Sequence, residues 1–404
     1  MKTTIKKLTL AAVLLGASIT SAFAQISNNV VKIGILTDLS GLYSDLSGQG
    51  SIVAAKMAIA DFGGTVLGKP IELISADSQN KADVAALKAR EWIDEQNVDV
   101  LMDLVPTNVA LAVLDVAQKK NKIAIVVGSA SSTITNEKCT STGIHWMYDT
   151  YSSSVGTGKA LVKRGADSWF FLTADYAFGK SLEKDVSEVV IAGGGKVLGS
   201  VRHPLNTRDF SSFLLQAQSS KAKVVGLANA GGDTVNSVKQ ATEFGIAAKG
   251  QIVAPLLMFI SDVHAMGLNI AQGMYLTEGF YWDYNKDSRA WSKRFFDVQK
   301  RMPTMAQAGM YSAVMHYLKS VKAAGTDETT AVLKKMHELP IADVVIPKGT
   351  LREDGRVVHD MLLLQVKKPA ESKTPWDYYN VVGVVPGNEA FRPLSQSSCP
   401  LLKK

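Results

Sequence analysis

Strand-like apolar runs alternate with amphipathic stretches along this chain, and the series runs twice. VVKIGILTD (30–38), PIELISAD (70–77), VDVLMDLV (98–105) and KIAIVVGSA (122–130) are near-continuous apolar runs. Between them lie SIVAAKMAIADF (51–62), KADVAALKAREWIDEQ (81–96) and NVALAVLDVAQKK (108–120), with apolar residues at three- and four-residue steps. Such alternation predicts parallel strands buried beneath helices on both faces. After GIHWMYD (143–149) the series restarts with a helix near Ser153–Lys163, the strand SWFFLTAD (168–175) and a helix from Lys180 to about Ala192. The strand KVLGSV (196–201), helix FSSFLLQAQ (210–218), strand AKVVGLANA (222–230) and helix DTVNSVKQATEF (233–244) complete it. A chain of 404 residues is long for one core, so two units are expected. The last third changes character: GMYLTEGFYW (273–282), two or three helices between about Ser288 and Leu339, then DMLLLQVKK and WDYYNVVGVV. By crossing back and forth it can serve both units. The expected fold class is α/β: two lobes, each a mostly parallel sheet flanked by helices, with a ligand crevice at the carboxyl ends of the strands.

The first 24 residues, MKTTIKKLTLAAVLLGASITSAFA, read as a cleaved secretory signal: a lysine-rich start, a short apolar stretch and a small-x-small cleavage site. No cysteine follows the cleavage site, and no later apolar run approaches membrane-spanning length, so an exported, soluble chain is expected. Its removal takes three lysines and no acids, leaving 41 basic side chains against 37 acidic ones, a net +4. That balance gives no reason to expect nucleic acid. Cys139 and Cys399 suit neither a metal nor a redox site; an oxidising compartment permits a disulfide between them, and two buried thiols are the alternative.

Reaction chemistry finds little support. Gly48-Gln49-Gly50 comes a dozen residues after the first strand and lacks the third glycine of a dinucleotide fingerprint. Gly193-Gly194-Gly195 lies between a helix and a strand, where it reads as a helix-ending turn. The six histidines are scattered without metal-ligand spacing, and Val-Gly-Ser-Ala-Ser (127–131) is not a nucleophile elbow. No cofactor, metal or catalytic residue is expected. Binding fares better. Ser40 to Asp45, Pro106-Thr107-Asn108 and Ser129-Ala130-Ser131-Ser132 each follow a strand and precede a helix, gathering hydroxyls and free N–H groups where an anion is favoured. The other reading is that the hydroxyls only cap their helices. TADYAFG (173–179) adds two rings in a short loop, which suit an apolar jaw or core packing.

Taken together, VKIGILTDLSGLYSDLSGQG, IELISADSQNKADVAALKAR, VVGSASSTIT, TADYAFGKSL, NSVKQATEFGI and PTMAQAGMYSAV resemble the periplasmic solute-binding proteins of ABC importers, in the leucine/isoleucine/valine-binding branch of the type I fold, and TADYAFG looks like its aromatic-acid binders. The likeness covers essentially the whole mature chain. It implies a periplasmic, monomeric receptor that closes on one small carboxylate and delivers it to inner-membrane permease subunits. It implies three crossings between lobes, here 25–145 with 279–342 and 146–278 with 343–388, before a tail at 389–404. The first lobe would hold the carboxylate at Thr107, Asn108, Ser129, Ala130 and Ser131, with Tyr43 as its ring and Tyr148 at the first crossing. The second would close with Tyr176 and Phe178, and with Asn229 and Ala230 of the loop after AKVVGLANA. Amino-acid binders of this branch place an acid after the proline of the next strand, where this chain has Leu256. A buried ammonium without a counter-charge is costly, so an aromatic or hydrophobic acid is expected ahead of a leucine-like amino acid, unless Asp45 or Glu278 turns inward. A secreted hydrolase and a sensor domain are the alternatives of another class.

Overall fold

The computed structural model describes residues 26–402; the signal segment lies outside them. The first series of apolar runs forms one sheet. Its strands are β1 (Val31–Thr37), β2 (Thr65–Val66), β3 (Lys69–Asp77), β4 (Val100–Asp103), β5 (Ile123–Val126) and β6 (Gly143–His145), in the order β2-β3-β1-β4-β5-β6. All its pairings are parallel except the short β2–β3 hairpin. The second series, β7 (Ser168–Ala174), β8 (Lys196–His203), β9 (Val224–Ala228) and β10 (Ile252–Pro255), forms a parallel sheet ordered β10-β9-β7-β8. Each strand of both sheets that ends on an apolar run feeds a helix, so the strand ends of the two lobes face a common cleft.

The last third serves both lobes. β11 (Tyr275–Glu278) pairs antiparallel with β14 (Met361–Val366), which pairs with β15 (Tyr379–Val385). Leu276, Leu362, Leu364 and Tyr379 share a core with Leu172, Val225 and Leu227 of the second sheet. Between these strands come three helices, Lys286–Gln299, Met305–Ala324 and Thr329–Glu338. Helix Met305–Ala324 returns to the first lobe: Thr304 Oγ1 donates to the Leu46 carbonyl at 2.6 Å and Tyr311 Oη to Asp61 at 2.8 Å. A small antiparallel pair, β12 (Gly349–Leu351) with β13 (Val357–His359), has no counterpart in the apolar patterning. It holds the first crossing. The fully buried Arg356 donates to the carbonyls of Trp146 (2.5 Å) and Tyr148 (3.1 Å), and His359 Nε2 lies 2.7 Å from the Met147 carbonyl.

Two local expectations change. The helix expected from Lys180 begins at Ala177, so Tyr176 is its cap residue and Phe178 lies in its first turn rather than in a loop. The helix expected near Ser153–Lys163 is broken into Thr150–Ser153, a π-helical turn at Ser154–Gly158, and Lys159–Val162.

Candidate ligand-binding site

At the end of β4 the chain bends sharply. Asp103 and Leu104 both adopt left-handed φ, at 78° and 63°. Three contacts hold the bend: Leu104 N–H donates to the Leu36 carbonyl at 2.9 Å, and the Asp103 carbonyl accepts from the N–H groups of Val127 and Gly128, each at 3.0 Å. The loops after β4 and β5 are thereby locked together. Gly128 is required there, since a Cβ would lie 2.0 Å from Val105 Cγ2. The Asp103 carboxylate itself is occupied, accepting from Ser47 Oγ at 2.7 and 2.8 Å; burial pushes it up to about 6.

The paired loops deliver Thr107 and Ser129, whose hydroxyls are 2.8 Å apart and buried. Thr107 opens the helix Thr107–Lys119, whose cap, Pro106, offers no side-chain acceptor. First-turn N–H groups have no intrahelical partner, and the aligned peptide dipoles favour negative charge there. Hydroxyls and N–H donors therefore converge on a point that an anion can occupy. Tyr148 stands beside them, its hydroxyl donating to the Gly128 carbonyl at 3.0 Å and its ring edge-on to Phe259 at 5.7 Å.

The same lobe supplies a ring, and the opposite lobe answers it with Tyr176. Tyr43 is positioned by Asp38, which accepts the N–H groups of Gly41 (2.7 Å) and Tyr43 (2.8 Å) and the Asn80 amide (2.7 Å). Its hydroxyl meets that of Tyr176 at 2.6 Å, across the cleft. Tyr43, Thr107, Ser129, Ala130, Tyr148, Tyr176 and Phe178 all line one narrow cavity, and none of its remaining lining residues is charged.

Four expected site residues do not line it. Ser131 caps the short helix Ser132–Thr135, accepting from Thr133 N. Asn108 donates to the Asn80 carbonyl at 3.2 Å. Asn229 accepts from Thr234 Oγ1 at 2.8 Å and braces its own loop, while its neighbour Ala230 reaches the cavity. Leu256 is buried in the core, and Leu257 and Phe259 are the lining residues from that run. Sequence reading also passed over Leu46 and Val105, whereas Pro106 belonged to a strand-end turn it singled out. Neither acid considered as an ammonium partner lies on the wall. Asp45 pairs with Arg301 at 2.5 Å, and Glu278 is buried with its carboxyl 3.4 Å from the Tyr379 hydroxyl, where burial raises it well above its ordinary value.

Two sheets joined by crossings, with an uncharged cavity between their strand ends, define a two-lobed ligand receptor. The periplasmic binding protein family model matches residues 30–373, and the chain belongs to that family. A periplasmic binding protein from Burkholderia mallei is 54% identical, with a TM-score of 0.91 over 93% of this chain and 100% of that one. A branched chain amino acid ABC transporter periplasmic ligand-binding protein from Burkholderia xenovorans LB400 is 40% identical, with a TM-score of 0.83 over 92% and 99%. At 22% identity, a solute binding protein of an ABC transporter from Rhodopseudomonas palustris BisB5, solved with 3,4-dihydroxy benzoic acid, shares the fold, with a TM-score of 0.80 over 89% and 98%. Among the described residues no helix is long and apolar enough to cross a membrane.

Proposed function

We propose that this chain is the periplasmic receptor of an ABC importer for a small monocarboxylate without an ammonium group, and that it acts by capture and delivery to a permease rather than by catalysis. The observation that carries the reading is the pairing of an uncapped helix start and two hydroxyls with a wall that bears no charged side chain. An anion is stabilised by the former, and an ammonium would find no counter-charge on the latter. The lobes are taken as 25–145 with 279–342 and 146–278 with 343–388, closing about the crossings as a monomer.

A thermal-shift screen tests the ligand class, because a compound that binds only the native state raises the melting temperature. Aliphatic and aromatic monocarboxylates should stabilise the protein, and Thr107→Val should weaken a stabilising acid by about tenfold, the usual scale for one lost hydrogen bond to a charged group. Stabilisation by leucine or valine with none by any simple acid would overturn the reading.

A further inference from the structure

The two phenols that meet across the cleft are under-used. Tyr43 Oη and Tyr176 Oη are 2.6 Å apart, and either can be the donor. A pair of hydroxyls carries two protons, and only one lies between the oxygens. Among the described residues neither hydroxyl has another hydrogen-bond partner, so one O–H donor is uncommitted. Burial is the main cause pushing both phenols above their ordinary range, so both remain protonated at neutral pH. A donor left unpaired in a place shielded from water is costly, and pairing it with a ligand acceptor recovers that cost.

We propose that the Tyr43–Tyr176 pair donates to an uncharged acceptor on the ligand, a keto or hydroxyl oxygen separate from the carboxylate, so that the preferred ligand is an oxygenated acid rather than a plain hydrocarbon acid. The inference rests on the carboxylate reading above and narrows it. The two hydroxyls come from opposite lobes, so their contact spans the cleft and favours its closure. An ammonium cannot use the free donor, and a hydrocarbon tail leaves it stranded. A site built to hydrogen-bond one group rejects the analogue that lacks it more strongly than an apolar pocket rejects a missing methylene.

Calorimetric titration of matched pairs tests this: 4-oxopentanoate against pentanoate, and 4-hydroxybenzoate against benzoate, with wild type, Tyr43→Phe, Tyr176→Phe and the two combined. Wild type should favour the oxygenated member of whichever pair it binds by about tenfold or more. Each substitution keeps its ring, and the double variant, which carries neither hydroxyl, should lose that preference with its melting temperature retained. Equal affinity for both members in wild type, or a preference that survives both substitutions, would overturn the proposal and leave the carboxylate reading standing. If wild type binds no member of either pair but binds leucine or valine, the carboxylate reading fails and this inference falls with it.

Discussion

Gly231 lies where the two lobes touch beside the cleft. Its φ is +58°, and a Cβ there would sit 2.6 Å from the Leu42 carbonyl oxygen and 3.1 Å from the Tyr43 ring. Its neighbour's N–H donates to the same carbonyl at 3.3 Å, so the contact joins the lobes. Gly231→Ala should therefore weaken ligand binding by about tenfold or more through the strain of a left-handed alanine and the blocked approach, about 1–2 kcal/mol from the backbone alone. Titration with the acid found by the screen checks it, and wild-type affinity would remove the closure argument. At this scale the sequence was partly legible. Thr107 and Ser129 could be named because hydroxyls gather at strand ends that open helices, yet the same pattern named Ser131, which only caps its helix. Of the pair Asn229 and Ala230 only Ala230 faces the cavity, and Leu256 misses it by one position, with Leu257 facing it instead. Successive side chains at a strand end point to opposite sides, and nothing in the local residues says where the last pairing falls.

The C-terminal tail ties elements that are far apart in sequence. Cys139 and Cys399 are bonded, with Cα atoms 5.6 Å apart and 260 positions between them. Ahead of Cys399, Arg392 donates to Asp185 (2.9 Å) and Glu188 (3.2 Å) on the helix Ala177–Ala192, and its guanidinium lies over the Tyr151 ring. Asp185 also accepts from Ser132 Oγ (2.7 Å) and Thr150 Oγ1 (2.6 Å), so one carboxylate gathers the tail, the first crossing and both lobes. Cys399→Ser should lower stability to denaturant by about 2–4 kcal/mol, since the bond restrains the unfolded chain. An unchanged denaturation midpoint would show that the tail is held by Arg392 and its neighbours alone. Most long elements were legible because their apolar periods are strong. The β12–β13 pair was not, because its strands are three residues each and the Arg356 side chain between them is spent on backbone carbonyls of the first crossing, which no local pattern shows. The start of helix Ala177–Ala192 was misjudged for a related reason: aromatic residues at a strand end look like loop until the cleft that accepts them is known.

For the whole molecule, buried titratable groups oppose one another. Burial raises the carboxyls of Asp99, Asp103, Asp185 and Asp233 to about 6 and that of Asp262 to about 7, and raises Glu278 well above its ordinary value. A carboxyl with a raised folded pKa binds its proton more tightly when folded, so it adds stability as the pH falls through its folded pKa towards its unfolded value. Burial also lowers His145, His203, His264 and His316, and His359 falls to about 4. An imidazole lowered in this way is protonated first in the unfolded chain, so it removes stability as the pH falls below about 6.5. The two sets act over the same window with opposite signs, six carboxyls against five imidazoles. The stability curve should therefore be shallow between about pH 5 and pH 7, although each pKa unit alone is worth about 1.4 kcal/mol. Asp262→Asn removes one carboxyl while keeping an oxygen for the Phe259 N–H that Asp262 accepts at 2.9 Å. Its curve should tilt against wild type, losing stability on the acid side by about 1–3 kcal/mol. Denaturant titrations of both proteins across that window decide the matter: parallel curves would show that Asp262 does not carry a raised pKa in the folded protein, and a steep wild-type curve would show that the two sets do not cancel.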